Sequence, residues 1–304
     1  MRILITGGAG FQGSHLAERW HAAGHKVTVL NTLSRQALEN IKHFPEGITI
    51  VWGSVTDREV VEKTAREHEV VAHLAAHINV DQSLDGPHDV VAVNVDGTVN
   101  VLEAVRKSGA RLIMASSCEV YGHAEQSPVT EKAELRPYSP YAASKAGADR
   151  MAFAYHKSFG LDVTIVRPSN VYGPRQKSGR GGAVIPIFAN LACAGKPLTV
   201  FGTGTQSREY INVMDLVEAW DIILQRKDLN GAVLNIGTGE TPSIREIADH
   251  VAKRFGVQVI NGPARPGEVP GFRLDGSMMK RLGFTPRIKF WDGLDDYLDL
   301  MAPK

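Results

Sequence analysis

Short runs dominated by Val, Ile and Leu recur through the first half of the chain, at residues 2–6, 26–30, 48–52, 70–73, 111–115 and 162–167. They are apolar at nearly every position rather than at every second one, which predicts strands covered on both faces. Between them lie longer stretches whose apolar residues return at helical spacing, as with Val91, Val95, Val99, Leu102 and Val105 in 87–107. Strand and helix in alternation predict an α/β fold with a parallel sheet between two helical layers. Right-handed crossovers then make it a doubly wound, Rossmann-type sheet. The long helices expected at 87–107 and Pro140–Phe159 either cover the sheet or also pack across a dimer interface.

The texture changes after Arg167. Residues 170–182 are rich in Gly, Pro, Arg and Lys, a loop composition, and 263–272 repeats it. Between these loops the pattern gives a helix at 183–194, a turn at Gly202-Thr203-Gly204, a strand at 209–213, a helix at 215–225 and a strand at Val233–Ile236. The expected organisation is a dinucleotide-binding domain over 1–168, with returns to its sheet near 209–236. A smaller α/β substrate domain over 169–304 is interleaved with it. Composition adds constraints. The 304 residues are 43% hydrophobic and 22% charged, with a net charge of +1, which gives no reason to expect a nucleic-acid partner. Two cysteines exclude a disulfide framework. No apolar run reaches membrane-spanning length, and residues 2–6 already read as a strand, so the expectation is a soluble cytoplasmic protein. His73 with His77, and His21 with His25, lack the acidic or thiol partners of a metal site, so no metal is expected.

The chemistry begins at Thr6-Gly7-Gly8-Ala9-Gly10-Phe11-Gln12-Gly13. The segment joins the first strand to a helix expected to begin near Gln12. Gly7 and Gly10 permit a tight turn and close backbone approach, and Gly13 lets the helix pack on the strand. The helix start then offers free amides to a pyrophosphate. The second strand ends at Asn31, where dinucleotide sites usually hold a ribose-binding acid. Asn31 accepts a hydrogen bond but does not repel a 2′-phosphate, and Ser34 and Arg35 follow it. NAD is therefore expected over NADP, by a reduced margin. Further on, Tyr141 and Lys145 lie four apart, on one helix face. A nearby ammonium favours the phenolate and makes Tyr141 a usable base. Ser116-Ser117 end the fifth strand, at the sheet edge that lines the ligand crevice.

These segments resemble an extended short-chain dehydrogenase/reductase of the nucleotide-sugar epimerase/dehydratase family. The resemblance is carried by residues 6–13, 73–76, 94–98, 116–122, 141–145, 167–173, 208–215 and 265–268, in family order. It implies a catalytic trio of Ser117, Tyr141 and Lys145. It implies cofactor contacts from Gly7, Gly10, Phe11, Gln12, Gly13, Asn31, Ser34, Arg35, Ser54, Val55, Leu74, Ala75, Ala76, Asn94 and Pro168, besides Tyr141 and Lys145. It implies that a nucleotide-diphosphate sugar is held by His77, Asn170, Arg175, Arg208 and Arg265, and that the protein is a homodimer. The family commonly has Asp where Ser54 stands and Ile where Gln12 stands.

The segment Ser117-Cys118-Glu119-Val120-Tyr121-Gly122 bears on the reaction. Simple 4-epimerases usually have small or neutral residues at its two central positions. In 4,6-dehydratases an Asp-Glu pair stands there, and Glu119 matches the carboxylate that removes the C5 proton once C4 is a ketone. Cys118 replaces the aspartic acid. Ser-Cys-Glu-Val-Tyr-Gly is similar to the segment of the UDP-N-acetylglucosamine 5,6-dehydratases of tunicamycin biosynthesis. A thiol with an ordinary pKa near ~8.5 can protonate a leaving hydroxyl, or Cys118 is a small apolar filler. The expected function is a 4,6- or 5,6-dehydratase acting through a transient 4-keto sugar. The alternatives are a 4-epimerase, which residues 171–176 and 208–215 resemble, and a glucuronate decarboxylase with Arg175 or Arg180 holding the carboxylate.

Overall fold

The computed structural model describes residues 1–78, 80–176, 183–264 and 271–302. Arg180 and Arg265 lie outside them. The chain opens with β1 (Arg2–Thr6), α1 (Phe11–Ala22), β2 (Lys26–Asn31), α2 (Arg35–Ile41), β3 (Thr49–Trp52), α3 (Arg58–Ala65) and β4 (Val70–His73). Two short helices, α4 (Val80–Asp85) and α5 (Pro87–Val91), run through a π-helical turn at Ala92–Asp96 into α6 (Gly97–Ser108). Then come β5 (Arg111–Ala115), a 3₁₀ turn at Cys118–Tyr121, α7 (Pro140–Phe159), β6 (Val163–Pro168) and β7 (Asn170–Tyr172). The remainder holds α8 (Val184–Cys193), β8 (Leu198–Phe201), β9 (Tyr210–Asn212), α9 (Val213–Gln225) and β10 (Val233–Ile236). It continues with α10 (Ile244–Phe255), β11 (Val259–Gly262), α11 (Ser277–Arg281) and α12 (Phe290–Met301).

Seven strands form one parallel sheet in the order β10-β6-β5-β4-β1-β2-β3. This is the doubly wound, Rossmann-type topology that the run of buried strands predicts. The order reverses between β1 and β4, and there the carboxyl ends of the strands open a crevice. One helical layer puts α1 against α9, with Trp20 and Trp220 fully buried and their rings 6.3 Å apart. The other layer is built from α3, α6 and α7 over Leu4, Val71, Leu112 and Ile165. A third cluster, Phe188, Tyr210, Val251 and Phe290 among its members, unites α8, α10 and α12 beside the two-stranded pairs β8–β11 and β7–β9.

Two expectations change in detail. The helix expected over 87–107 is interrupted by the π turn, which places the buried side chain of Asn94 beneath the loop at residue 77. The strand expected at 209–213 pairs with β7, outside the large sheet, and β10 alone of the two rejoins it.

Candidate active site

The glycine loop is built by contacts that exclude side chains. Gly7, at φ +72°, donates its N–H to Leu30 O at 2.8 Å, and Gly10 N–H donates to Gly7 O at 2.9 Å. A Cβ on Gly7 would lie 2.7 Å from Ala75 N, and one on Gly13 would lie 2.3 Å from Gly7 O. The N-cap of α1, Gly10, has no side-chain cap, which leaves the first-turn amides of α1 facing the crevice without a side-chain acceptor. The Ala9 peptide is clamped from both sides. Its N–H donates to Asn31 Oδ1 at 3.2 Å, and its carbonyl accepts from Asn40 Nδ2 at 2.9 Å. Gln36 in turn donates to Asn40 Oδ1. Below the loop, Thr98 Oγ1 donates to Asn94 O and so accepts from His73 Nε2, leaving His73 Nδ1 to accept from Thr6 Oγ1 at 2.6 Å. The imidazole is neutral and fixed, its pKa pushed down to about 3 by burial, with Lys145 adding to the shift. A rigid cradle of bare backbone over an uncapped helix start fits a dinucleotide pyrophosphate.

The other cofactor candidates stand at the same edge. Asn31 ends β2, Ser34 caps α2 through Ala37 N–H, and Arg35 begins that helix. Ser54 and Val55 follow β3, Leu74–Ala76 follow β4, and Pro168 ends β6. Asn94 differs. Its amide is satisfied by both backbone groups of His77 and by Ser144 Oγ at 2.8 Å, so it braces the loop carrying His77.

Ser117 follows β5 directly, and Tyr141 and Lys145 stand on the first turns of α7, whose N-cap is Ser139. The Tyr141 hydroxyl is hydrogen-bonded to Ser117. Ser117 Oγ also accepts from Glu119 N–H at 3.2 Å. Lys145 Nζ donates to Ala115 O at 2.5 Å. Burial pushes the tyrosine pKa up, against the Ser117 hydrogen bond, and the charges of Glu119 and Cys118 raise it further. The lowering of the phenol pKa expected beside Lys145 is not what this geometry gives. Burial lowers Lys145 itself to about 8, with Asp149 opposing. Glu119 is held above the ordinary carboxylate range by burial, against the attraction of Arg208. Burial, then Glu119 and Glu209, push Cys118 well above the usual thiol range, so it keeps its proton. Cys118, Glu119, Asn170 and Arg208 line one pocket with Tyr138, Ser169, Glu209 and Phe272.

A glycine cradle at the reversal of a parallel sheet and a Ser-Tyr-Lys cluster beside it are features of one group of proteins. The model described as the NAD dependent epimerase/dehydratase family matches residues 3–237. The chain belongs to this family. Its relatives within the family divide by reaction. The UDP-glucose 4-epimerase of Mycolicibacterium smegmatis is 35% identical over 313 residues, spanning 100% of this chain and 99% of its own. The UDP-N-acetyl-alpha-D-glucosaminuronate decarboxylase of Bacillus cytotoxicus is 33% identical, with 97% and 96% covered. The crystal structure of DesIV, a dTDP-glucose 4,6-dehydratase from Streptomyces venezuelae with NAD and TYD bound, superimposes with a TM-score of 0.91 at 33% identity, covering 98% of this chain and 96% of that one.

The candidate site also rests on residues to which the sequence reading gives no role. Arg167, fully buried, donates to both carboxylate oxygens of Asp149 at 2.8 and 2.9 Å and to the Tyr121 hydroxyl at 2.9 Å. Ser116 donates to Asp149 at 2.7 Å, and Tyr121 donates to Asn235 at 2.7 Å. This network ties β5, α7, β6 and β10 together directly behind Ser117. Its signal in the sequence is an Asp four residues beyond Lys145 on the same helix face, and an Arg inside an apolar run. Glu209 is a second omission. Its carboxylate accepts from Gly239 N–H and Leu274 N–H, both at 2.6 Å, and so closes one wall of the pocket.

One candidate is engaged elsewhere in this structure. Arg175, expected to hold substrate, sits at φ +68° and turns to α1, where it pairs with both oxygens of Glu18 at 2.9 Å and donates to Ser14. Its guanidinium is engaged by that helix, and it is not among the residues lining the pocket.

Proposed function

We propose that the chain is an NAD-dependent nucleotide-sugar dehydratase that works through a transient 4-keto sugar. The observation that carries this reading is Glu119. It is a carboxyl with a raised pKa, in one pocket with a protonated Cys118 and within electrostatic reach of Tyr141. NAD bound along the glycine cradle supplies the acceptor and later the donor of hydride. Tyr141 takes the proton of the C4 hydroxyl, Ser117 orients that oxygen, and Lys145 supplies positive charge to the phenol. Oxidation at C4 acidifies C5–H, and Glu119 removes that proton. The role of acid for the departing hydroxyl is assigned to the Cys118 thiol, a proton donor that burial makes weaker. Asn170, Arg208, His77 and Arg265 are assigned to the nucleotide-sugar, and the cradle residues with Asn31, Ser34, Arg35, Ser54, Val55, Leu74, Ala75, Ala76 and Pro168 to the cofactor. The enzyme is proposed to act in the cytoplasm as a homodimer.

A 4-epimerase is the second reading, favoured by the end-to-end similarity to the mycobacterial epimerase. Incubation with UDP-, dTDP-, GDP- and CDP-hexoses, followed by mass spectrometry of the products, separates the two. Loss of one water molecule supports dehydration. A new isomer of unchanged mass supports epimerisation and overturns the dehydratase.

A further inference from the structure

Ser169 stands between the end of β6 and Asn170. Its backbone is fixed, since its N–H donates to Ile236 O at 2.8 Å. The residue is 3% exposed, and among the described residues its hydroxyl has no hydrogen-bond partner. The neighbouring hydroxyls at this sheet edge all have partners: Thr6 with His73, Ser116 with Asp149, and Ser117 with Tyr141 and Glu119. An unpaired buried hydroxyl is unfavourable, and alanine would fill the same space without the penalty. Ser169 also lines the pocket that holds Cys118, Glu119, Asn170 and Arg208.

We propose that Ser169 is a substrate-binding residue whose hydroxyl donates to an oxygen of the bound nucleotide-diphosphate sugar. This rests on the nucleotide-sugar reading of the pocket. The acceptor is an anionic oxygen of the diphosphate or a hydroxyl of the sugar, and both offer a lone pair to the unpaired O–H of Ser169. Retaining the hydroxyl then makes physical sense, because the unpaired donor of the free protein is satisfied in the complex. Stability is given up at this position in exchange for affinity.

The test uses the full chain with NAD added. Calorimetric titration measures wild type and Ser169→Ala against UDP-, dTDP-, GDP- and CDP-glucose and against the four free diphosphates. Thermal unfolding of both proteins is followed without nucleotide. The expected result is about tenfold weaker binding of the preferred nucleotide-sugar by Ser169→Ala, at an unchanged or higher unfolding midpoint. Weakening shared by the free diphosphate places the acceptor on the phosphates, and weakening confined to the glucose conjugate places it on the sugar. Equal affinity of the two proteins for every ligand overturns the proposal, as does a lowered midpoint with affinity unchanged. If wild type binds no nucleotide or nucleotide-sugar at all, the reading of the pocket fails first, and the assignment falls with it.

Discussion

Tyr141 lies within electrostatic reach of Glu119, and the two are proposed to serve different steps. Tyr141→Phe is expected to abolish all turnover, including reduction of NAD, because no base then takes the C4 hydroxyl proton. Glu119→Gln keeps the shape and loses the base. C4 oxidation should survive, while C5 exchange in deuterated water and loss of water should fall about 10²–10⁴-fold. Full dehydratase turnover by Glu119→Gln would make Glu119 structural. The buried ammonium of Lys145 adds a pH signature. Only its protonated form brings positive charge to Tyr141, so kcat should decline as pH rises through about 8, where burial places its pKa. In Lys145→Arg that decline should be missing from the pH–rate profile. Stability moves the other way. The unfolded chain holds this proton up to the ordinary value of 10.5, so the penalty of burying Lys145 is relieved as pH rises from about 8 towards 10.5. The Tyr-x-x-x-Lys pair and Ser117 are legible in the sequence because helical spacing and strand ends are local signals. The partner of Lys145, the Ala115 carbonyl, leaves no trace in side-chain identity. The contact of Arg175 with Glu18 is not legible in the sequence, because Glu18 stands 157 positions earlier.

Between elements, the Asp149–Arg167 pair carries the greatest consequence. Burial opposes the charge of Asp149, yet Arg167, Arg150 and Ser116 together hold its pKa below the usual value. Removing one member strands the other in the core. Asp149→Ala is therefore expected to cost about 3–5 kcal/mol in denaturant unfolding. The wild-type contribution is present above the unfolded carboxyl pKa and disappears as pH falls through the folded one. A loss under about 1 kcal/mol would mean that Arg167 finds other partners. At the cofactor edge, Asn31 Oδ1 accepts from Ala9 N–H and its Nδ2 donates to Thr32 O. It lacks the charge that repels a 2′-phosphate, and Arg35 stands nearby. Fluorescence titration should show NAD bound more tightly than NADP, by less than an acidic residue would give, and a preference for NADP would shift the decisive role to Arg35. The strand-loop-helix cradle is readable from its glycines alone. The Asn40 clamp is not, because it depends on how α2 folds back over the loop.

For the whole molecule, the exposed apolar side chains Val91 and Phe159 lie on α5 and α7, within the two stretches proposed to form the dimer interface. Light scattering at micromolar concentration is expected to give twice the chain mass, and a monomer would refute the assignment. The parallel sheet could be anticipated because its strands are apolar on both faces. The pairing of β9 with β7 could not, since three residues carry too little pattern to choose a partner. The strand order also has a consequence for synthesis. On the ribosome, β6 emerges with one edge bare, and the strand that closes it, β10, is made only after β7, α8, β8, β9 and α9. The apolar flank of α1 likewise waits for Trp220 of α9. Until residue 236 has left the exit tunnel, the nascent chain displays an open strand edge and an uncovered hydrophobic face, the two surfaces most prone to wrong pairing. A chain halted at Pro168 would keep both for good.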